Sequence, residues 1–430
     1  MVEANPQSIE LNNTIKNNSS IYDLISNRGK LIFFPRKEVM AQSADAKGKK
    51  INATMGIALE EDLSLMRLKS IAKLIKKLDP KEIFTYTSSF GKPELREKWK
   101  EKIYEKNPSL ELETSLPITT NGITHGLSLA GYLFINPGDK IIIPDKLWEN
   151  YELIFTNTYG AELDKFNTFK DKKFDLESFK NKLNKGEIGK KIILLNFPNN
   201  PTGYTLTAGE AEKIAEIVKE SAEKGNKILV ITDDAYFGLV YRQGVYKESI
   251  FTKLANLHQN ILAVKIDGAT KEDYVWGFRV GFITFGIKDA NKDLYKALEN
   301  KTAGAVRSTI STAPHLSQSL VLKAFNSKKY QKEKQEKYEL LKSRYQEVKR
   351  VLQDEKYSEF FKPLPFNSGY FMCIELNTDA EKVRQTLLEK YSTGVIAMGN
   401  LLRIAFSALS KNQIQELFDN IYKACKEQGN

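Results

Sequence analysis

The chain has little cysteine and little histidine. Cys373 and Cys425 are its only cysteines in 430 residues, so no disulfide framework holds it together. The three histidines, His125, His258 and His315, show no spacing that suits a metal ion, and no metal is expected. No apolar run approaches the ~20 residues needed to cross a bilayer. The opening stretch, MVEANPQSIELNNTIKNNSS, is polar and lacks the apolar core of a signal peptide. The expectation is therefore a cytoplasmic chain with no membrane partner. Charge of one sign is not concentrated either. Lys and Arg number 65 against 54 Asp and Glu, a net +11, but the densest basic stretch, Lys328 to Lys349, alternates with Glu as a solvated helix face does. That argues against nucleic acid as a partner. Internal repeats are absent.

What is present is a sizeable core. Apolar residues make up 41% and aromatic residues 10% of a chain long enough for two domains. Short apolar runs recur at 140–144, 191–197, 227–233, 261–267 and 278–286. Their unbroken apolar character fits strands covered on both faces, as in a mainly parallel sheet. Between two of them, LTAGEAEKIAEIVKESAEKG predicts an amphipathic helix. Thr207 and Glu210 form a capping box, and Gly225 follows its end. Strand, helix and strand at this spacing predict an α/β, doubly wound large domain. After about residue 312 the texture changes. A long charged helical pattern over roughly 315–354 leads to strand-like GYFMCIEL and LLRIAFSAL and a closing helix, a smaller α+β domain. The expected division is an arm or part of the small domain over 1–50, a large domain over 51–312 and a small domain over 313–430.

In doubly wound sheets ligands bind outside the carboxyl ends of the strands. Three successive strand ends here carry Asn199 and Asn200, then Asp233, Asp234 and Tyr236, then Lys271. Arg279 stands just inside the next strand. Upstream, TTNGITHGLSLA puts Gly122, Ile123 and Thr124 at a helix start, a natural seat for an anion. An amine, a carboxylate, a phenol, an amide and an anion seat together suit pyridoxal 5′-phosphate.

These motifs give the chain a specific resemblance. It resembles the class I/II pyridoxal-phosphate-dependent aminotransferases, of fold type I, from about Asn52 to Arg403. The motifs are Asn200–Gly203 (NPTG), Asp233–Tyr236 (DDAY), Lys271 with Arg279 and Gly281, Tyr86 with Gly91, Trp148 within LWENY, and Arg403 within LLRIAF. One position departs from the pattern. A serine three residues before the lysine is common in the family, and here Gly268 stands there, leaving Thr270 or Thr124 to supply a hydroxyl.

The resemblance implies roles. Lys271 would anchor the cofactor and shuttle a proton, and Asp233 would hold the ring nitrogen protonated. Asn200 and Tyr236 would bond the cofactor's phenolate oxygen, and Trp148 would stack on its ring. Arg279, Gly122, Ile123, Thr124 and Thr270 would hold the phosphate. Tyr86 would reach the phosphate of a neighbouring subunit in a homodimer. Arg403 would bind the substrate α-carboxylate, with Asn200, Trp148 and Gly56 close by. Arg307 stands where dicarboxylate-specific members carry an arginine that crosses between subunits. It could equally bond to nearby backbone, or swing aside for aromatic substrates. The implied activity is transamination between an L-amino acid, aspartate, glutamate or aromatic, and a 2-oxo acid such as 2-oxoglutarate. A β-lyase or amino-acid decarboxylase on the same cofactor, and a non-catalytic cofactor-binding regulator, are the alternatives.

Overall fold

The structure is a computed structural model that describes residues 5–17, 22, 25, 27–32, 39–74 and 77–428. Part of the expected arm, including residues 1–4, 18–21 and 33–38, lies outside the described residues.

A seven-stranded sheet forms the centre. Its strands are β1 (Ile118–Asn121), β2 (Lys140–Pro144), β3 (Glu162–Phe166), β4 (Lys190–Asn196), β5 (Lys227–Asp233), β6 (Ile261–Gly268) and β7 (Val280–Ile287). The spatial order is β1-β7-β6-β5-β4-β2-β3. The ladders from β3 through β2, β4 and β5 to β6 are parallel, and β7 runs antiparallel to both β6 and β1. The apolar runs expected as two-sided strands are these strands. Ile192, Ile193 and Leu194 of β4 and Val230 and Ile231 of β5 are buried, because helices cover both faces.

Helix α1 (Pro93–Lys106) packs Trp99 flat on Phe282 of β7, with ring centroids 4.3 Å apart. Helix α2 (Ile123–Phe134) leaves the end of β1. Helix α3 (Ala208–Glu223) begins with the expected capping box between Thr207 and Glu210. Such a cap contributes about 1 kcal/mol. Its inward residues Ile214, Ile217 and Val218 are buried, each contributing about 1.5–3 kcal/mol.

The C-terminal part is built on a four-stranded antiparallel sheet. Its strands are β8 (Phe361–Pro363), β9 (Phe371–Leu376), β10 (Ile396–Met398) and β11 (Leu401–Ala405), in the order β8-β9-β11-β10. Residues 51–61 lie against this part. Ile51–Asn52 pairs with Thr393–Gly394, and Glu61 accepts from Arg344 at 2.9 Å. The charged pattern expected as one helix over 315–354 is instead two, His315–Phe325 and Tyr330–Val351. The break falls at Asn326 and Ser327. Both side-chain types compete with a helix for its backbone hydrogen bonds, and Asn326 serves as the C-cap.

Candidate active site

The carboxyl ends of β4, β5 and β6 open into one pocket of about 240 Å³. It is lined by Lys271, Asp233, Tyr236, Asn200, Arg279, Arg403, Thr270, Trp148, Ile123, Thr124 and Gly56. Gly56 and Arg403, more than 300 positions apart, meet here because Ile51–Asn52 pairs with Thr393–Gly394 and draws the segment that follows onto the C-terminal sheet.

Lys271 lies three residues beyond the end of β6. Its backbone carbonyl accepts from the Tyr370 hydroxyl at 2.8 Å, and its amine sits 5.2 Å from the Tyr236 ring centre. Burial lowers its pKa from the ordinary lysine value to about 8. The Arg279 charge adds to that fall and the Asp233 carboxylate opposes it. About a tenth is therefore the neutral, nucleophilic amine at pH 7, far more than an ordinary lysine offers.

Asp233 closes β5. Its Oδ2 accepts from the Tyr151 hydroxyl at 2.6 Å and its Oδ1 from the Ala235 N–H at 3.1 Å. Burial pushes its pKa up, while the Tyr151 bond and the Lys271 charge pull it back. The carboxylate is thus oriented toward the pocket by donors on its flank. Asn200 is held by its own turn: its N–H donates to Asn196 Oδ1 at 2.8 Å, and its Oδ1 accepts from Arg403 at 3.3 Å. That turn packs tightly against β9. A Cβ at Gly203, where φ is +69°, would lie 1.9 Å from the Phe371 carbonyl oxygen, so only glycine fits.

Arg403 comes from β11. Its guanidinium lies 4.5 Å from the centre of the Phe371 ring and donates to the Thr54 carbonyl at 3.2 Å. Its Nε is buried with no partner. At the far side, Arg279 adopts a left-handed backbone, φ 54°, and donates to the Trp276 carbonyl at 3.2 Å. Gly122 permits that arrangement: a Cβ there would stand 2.5 Å from Arg279 Nη2. Gly122 also leaves the start of α2 without a side-chain cap, so the first N–H groups stay free for an anion.

Pyridoxal 5′-phosphate fits this set on chemical grounds. The Oγ1 of Thr270 is buried without a hydrogen-bond partner. It lines the same pocket as Arg279 and the uncapped start of α2, a donor set for a phosphate. The structure also accounts for the missing serine. Gly268 pairs with Gly281 across the β6–β7 ladder, and a Cβ at Gly268 would come within 2.5 Å of the Val280 carbonyl oxygen.

Residues 49–421 match the family described as aminotransferase class I and II. The chain belongs to that family. Its members depend on pyridoxal 5′-phosphate. The chain is 31% identical over 263 residues to the aspartate aminotransferase of Sulfurisphaera tokodaii, covering 60% of each protein. It is 30% identical to a probable N-acetyl-LL-diaminopimelate aminotransferase of Bacillus subtilis, over 58% of this chain and 57% of that one. These two matches thus span about three-fifths of each relative's length. Among solved structures, an aminotransferase from Anaerococcus prevotii superposes with a TM-score of 0.84 at 24% identity, covering 94% of this chain and 99% of that one. The kynurenine aminotransferase of Pyrococcus horikoshii, solved in complex with PMP, superposes at 0.79 and 16% identity, over 97% and 100% of the two chains. The expected α/β, fold type I architecture is the observed one.

Three expected residues do not line this chain's pocket: Gly122 stands behind Arg279, and the other two are on the surface. Tyr86 is 88% exposed, and Arg307 is an exposed residue on the helix Lys292–Ile310. Five pocket residues had no site role in the sequence reading: Asn196 and Ala235, which flank expected residues, and Tyr151, Trp276 and Phe371. Tyr151 stands three residues beyond Trp148 and meets it edge-on at 5.5 Å, a helical spacing that could have flagged it. Trp276 lies between Lys271 and Arg279, and its Nε1 is buried without a partner. Phe371 arrives from the C-terminal sheet with no local signal.

Proposed function

We propose that this protein is a pyridoxal-5′-phosphate-dependent aminotransferase that moves an amino group from an L-amino acid to a 2-oxo acid. The observation that carries the reading is the meeting of Lys271, Asp233, Arg279 and Arg403 in one pocket. Bound there, the cofactor would supply an aldehyde carbon and an electron-withdrawing ring. Lys271 would hold the cofactor, and its amine would carry the proton to and from the substrate Cα. Asp233, steered by Tyr151, keeps a proton on the ring nitrogen. Asn200 and Tyr236 donate to the phenolate oxygen, and Trp148 covers one ring face. Arg279, Thr270, Thr124 and the N–H groups of Ile123 and Thr124 hold the phosphate. Arg403 grips the α-carboxylate, helped by Asn200, and Gly56 leaves room beside Phe371.

The proposal includes a cytoplasmic homodimer. Among the described residues no helix is long and apolar enough to cross a membrane. Tyr86 and Phe84 are 88% and 82% exposed, an aromatic surface that a second copy would cover. It also includes the division into a large unit and a C-terminal unit, with residues 51–61 drawn to the latter. Aspartate or glutamate is the proposed donor and 2-oxoglutarate the acceptor, with aromatic amino acids secondary. Relatives named aspartate aminotransferase support that choice.

The test is spectral. The yellow holoenzyme should bleach with an amino acid and recover its colour with a 2-oxo acid. Ammonia or carbon dioxide released in step with turnover would identify a β-lyase or a decarboxylase instead. A spectrum indifferent to amino acids would identify a regulator.

A further inference from the structure

Lys265 is fully buried in the middle of β6. A buried ammonium is costly unless it is paired. This one is bonded to Asp234 and lies 3.3 Å from Asp267. Both carboxylates are themselves buried. Asp234 also accepts from the Ser249 hydroxyl at 2.6 Å, and Asp267 from the indole N–H of Trp99 on α1 at 2.9 Å. The register explains the grouping. Thr232 pairs with Lys265 and Asp233 with Ile266. Side chains alternate between the faces of a sheet, so Lys265 and Asp267 share one face, and Asp233 belongs to the other. Asp234 follows Asp233 directly and turns to the face of Lys265. Two neighbouring aspartates thus lie back to back, one toward the pocket and one toward the covered side.

We infer that Lys265 is a positioning residue that cancels one of the two buried negative charges behind Asp233, and so keeps the Asp233 carboxylate ionised for the cofactor's ring nitrogen. The inference rests on the reading of Asp233 as the ring-nitrogen partner. Nearby charges do not substitute for Lys265. Lys106 lies 4.9 Å from the Phe237 ring on which Lys265 also rests, but its amine is paired with Glu272 at 2.8 Å. Lys271 faces Asp233 from the pocket side and is committed to the cofactor. Tyr151 is a neutral donor to Asp233. With Lys265 in place, two carboxylates and one ammonium leave one net negative charge behind Asp233. Without it there are two, and the added repulsion in a dry site favours protonated Asp233. The direction agrees with the influence of Asp234, which already pushes the Asp233 pKa up after burial has done so.

The experiment measures the affinity of the cofactor-free full-length protein for pyridoxamine 5′-phosphate by equilibrium dialysis across pH. That form has no aldehyde for Lys271 to capture, so loss of capture by protonated Lys271 does not set the limb. Wild type should lose affinity on the acid side as Asp233 takes up a proton. In Lys265→Met that acid limb should move up by about one pH unit, which is about tenfold weaker binding at a fixed pH on the limb. The double variant Asp234→Asn/Lys265→Met restores one net negative charge, so its limb should return to the wild-type position. A packing role for Lys265 would not be rescued by removing a carboxylate. If Lys265→Met does not fold, Asp234→Asn alone decides. It removes an anion and should shift the limb to lower pH. An unmoved limb in Lys265→Met or in Asp234→Asn, or a double variant that stays shifted, overturns the inference. Asp233→Asn is the control for the underlying reading. It should abolish the limb, and if the limb persists, the assignment of Asp233 has failed rather than that of Lys265.

Discussion

At the scale of single residues, the pocket separates groups by what surrounds them. Lys265 lies within β6 and Lys271 just beyond it, yet their environments drive them apart. Burial and Arg279 bring Lys271 down to about 8. Burial opposes the charged form of Lys265 too, but Asp234 and Asp267 outweigh it and raise its pKa. One is poised to lose its proton and the other to keep it. The sign for Lys271 follows directly: the amine that captures the cofactor aldehyde must be neutral, so the capture rate by cofactor-free protein should rise as pH increases through about 8 and level off above it. Stopped-flow absorbance of wild type should show that rise. Lys271→Ala should show no covalent capture, and its turnover should fall by roughly 10²- to 10⁴-fold with the circular dichroism spectrum unchanged. Thr270 gives a second residue-scale prediction. Its hydroxyl is buried and unpartnered, and a charge-assisted bond to phosphate would add about 1.5–3 kcal/mol. Thr270→Val should therefore weaken cofactor binding about tenfold to a hundredfold, measured by dialysis, with little change in melting temperature. Equal affinity would remove Thr270 from the phosphate seat.

At the scale of elements, the sequence made some features legible and hid others for physical reasons. The parallel strands showed themselves because two-sided burial demands unbroken apolar runs, and α3 showed itself because Thr207 and Glu210 are a local signal. The break at Asn326 was hidden, since a charged pattern at helical spacing continues across it and only four residues interrupt it. Among site residues, Lys271, Asp233 and Asn200 were legible because each lies at or just past the carboxyl end of a strand. Phe371 and Tyr151 were not, because their places depend on how β9 and the segment after Trp148 pack. Gly268 looked in the sequence like a gap in the phosphate shell. In the ladder it is a requirement, since its partner is Gly281 and the Val280 carbonyl lies where a Cβ would go. Gly268→Ser should then destabilise the fold by about 1–3 kcal/mol, the usual cost of overpacking. It should also bring no gain in cofactor affinity. Urea denaturation would check the first point and dialysis the second. A variant as stable as wild type, with tighter cofactor binding, would show that β6 and β7 can part to admit the hydroxyl.

At the scale of the whole molecule, the pocket of one chain holds a grip for one carboxylate. Arg403 is buried beside Asn200 and Phe371, which suits the α-carboxylate of any amino acid and cannot by itself choose among side chains. A dicarboxylate needs a second cation. Arg307 is a candidate whose placement makes sense only in an assembly. It is exposed near the end of a long helix, outside its own chain's pocket, and forms no ion pair among the described residues. In the proposed homodimer, Arg307 of one subunit would meet the distal carboxylate bound in the other, and its planar fork suits that task. Removing one partner of a buried charge pair costs about 2–5 kcal/mol. Arg307→Ala should therefore lower kcat/KM for aspartate and glutamate by a factor of about 30 or more, while neutral and aromatic amino acids lose much less. Sedimentation of the same variant should still show a dimer, so that a loss of assembly is not mistaken for a loss of recognition. An equal fall for both substrate classes, or no fall in either, would strip Arg307 of the distal role. An active monomer in wild type would do so as well, because a lone chain keeps this arginine outside the pocket that it would have to serve.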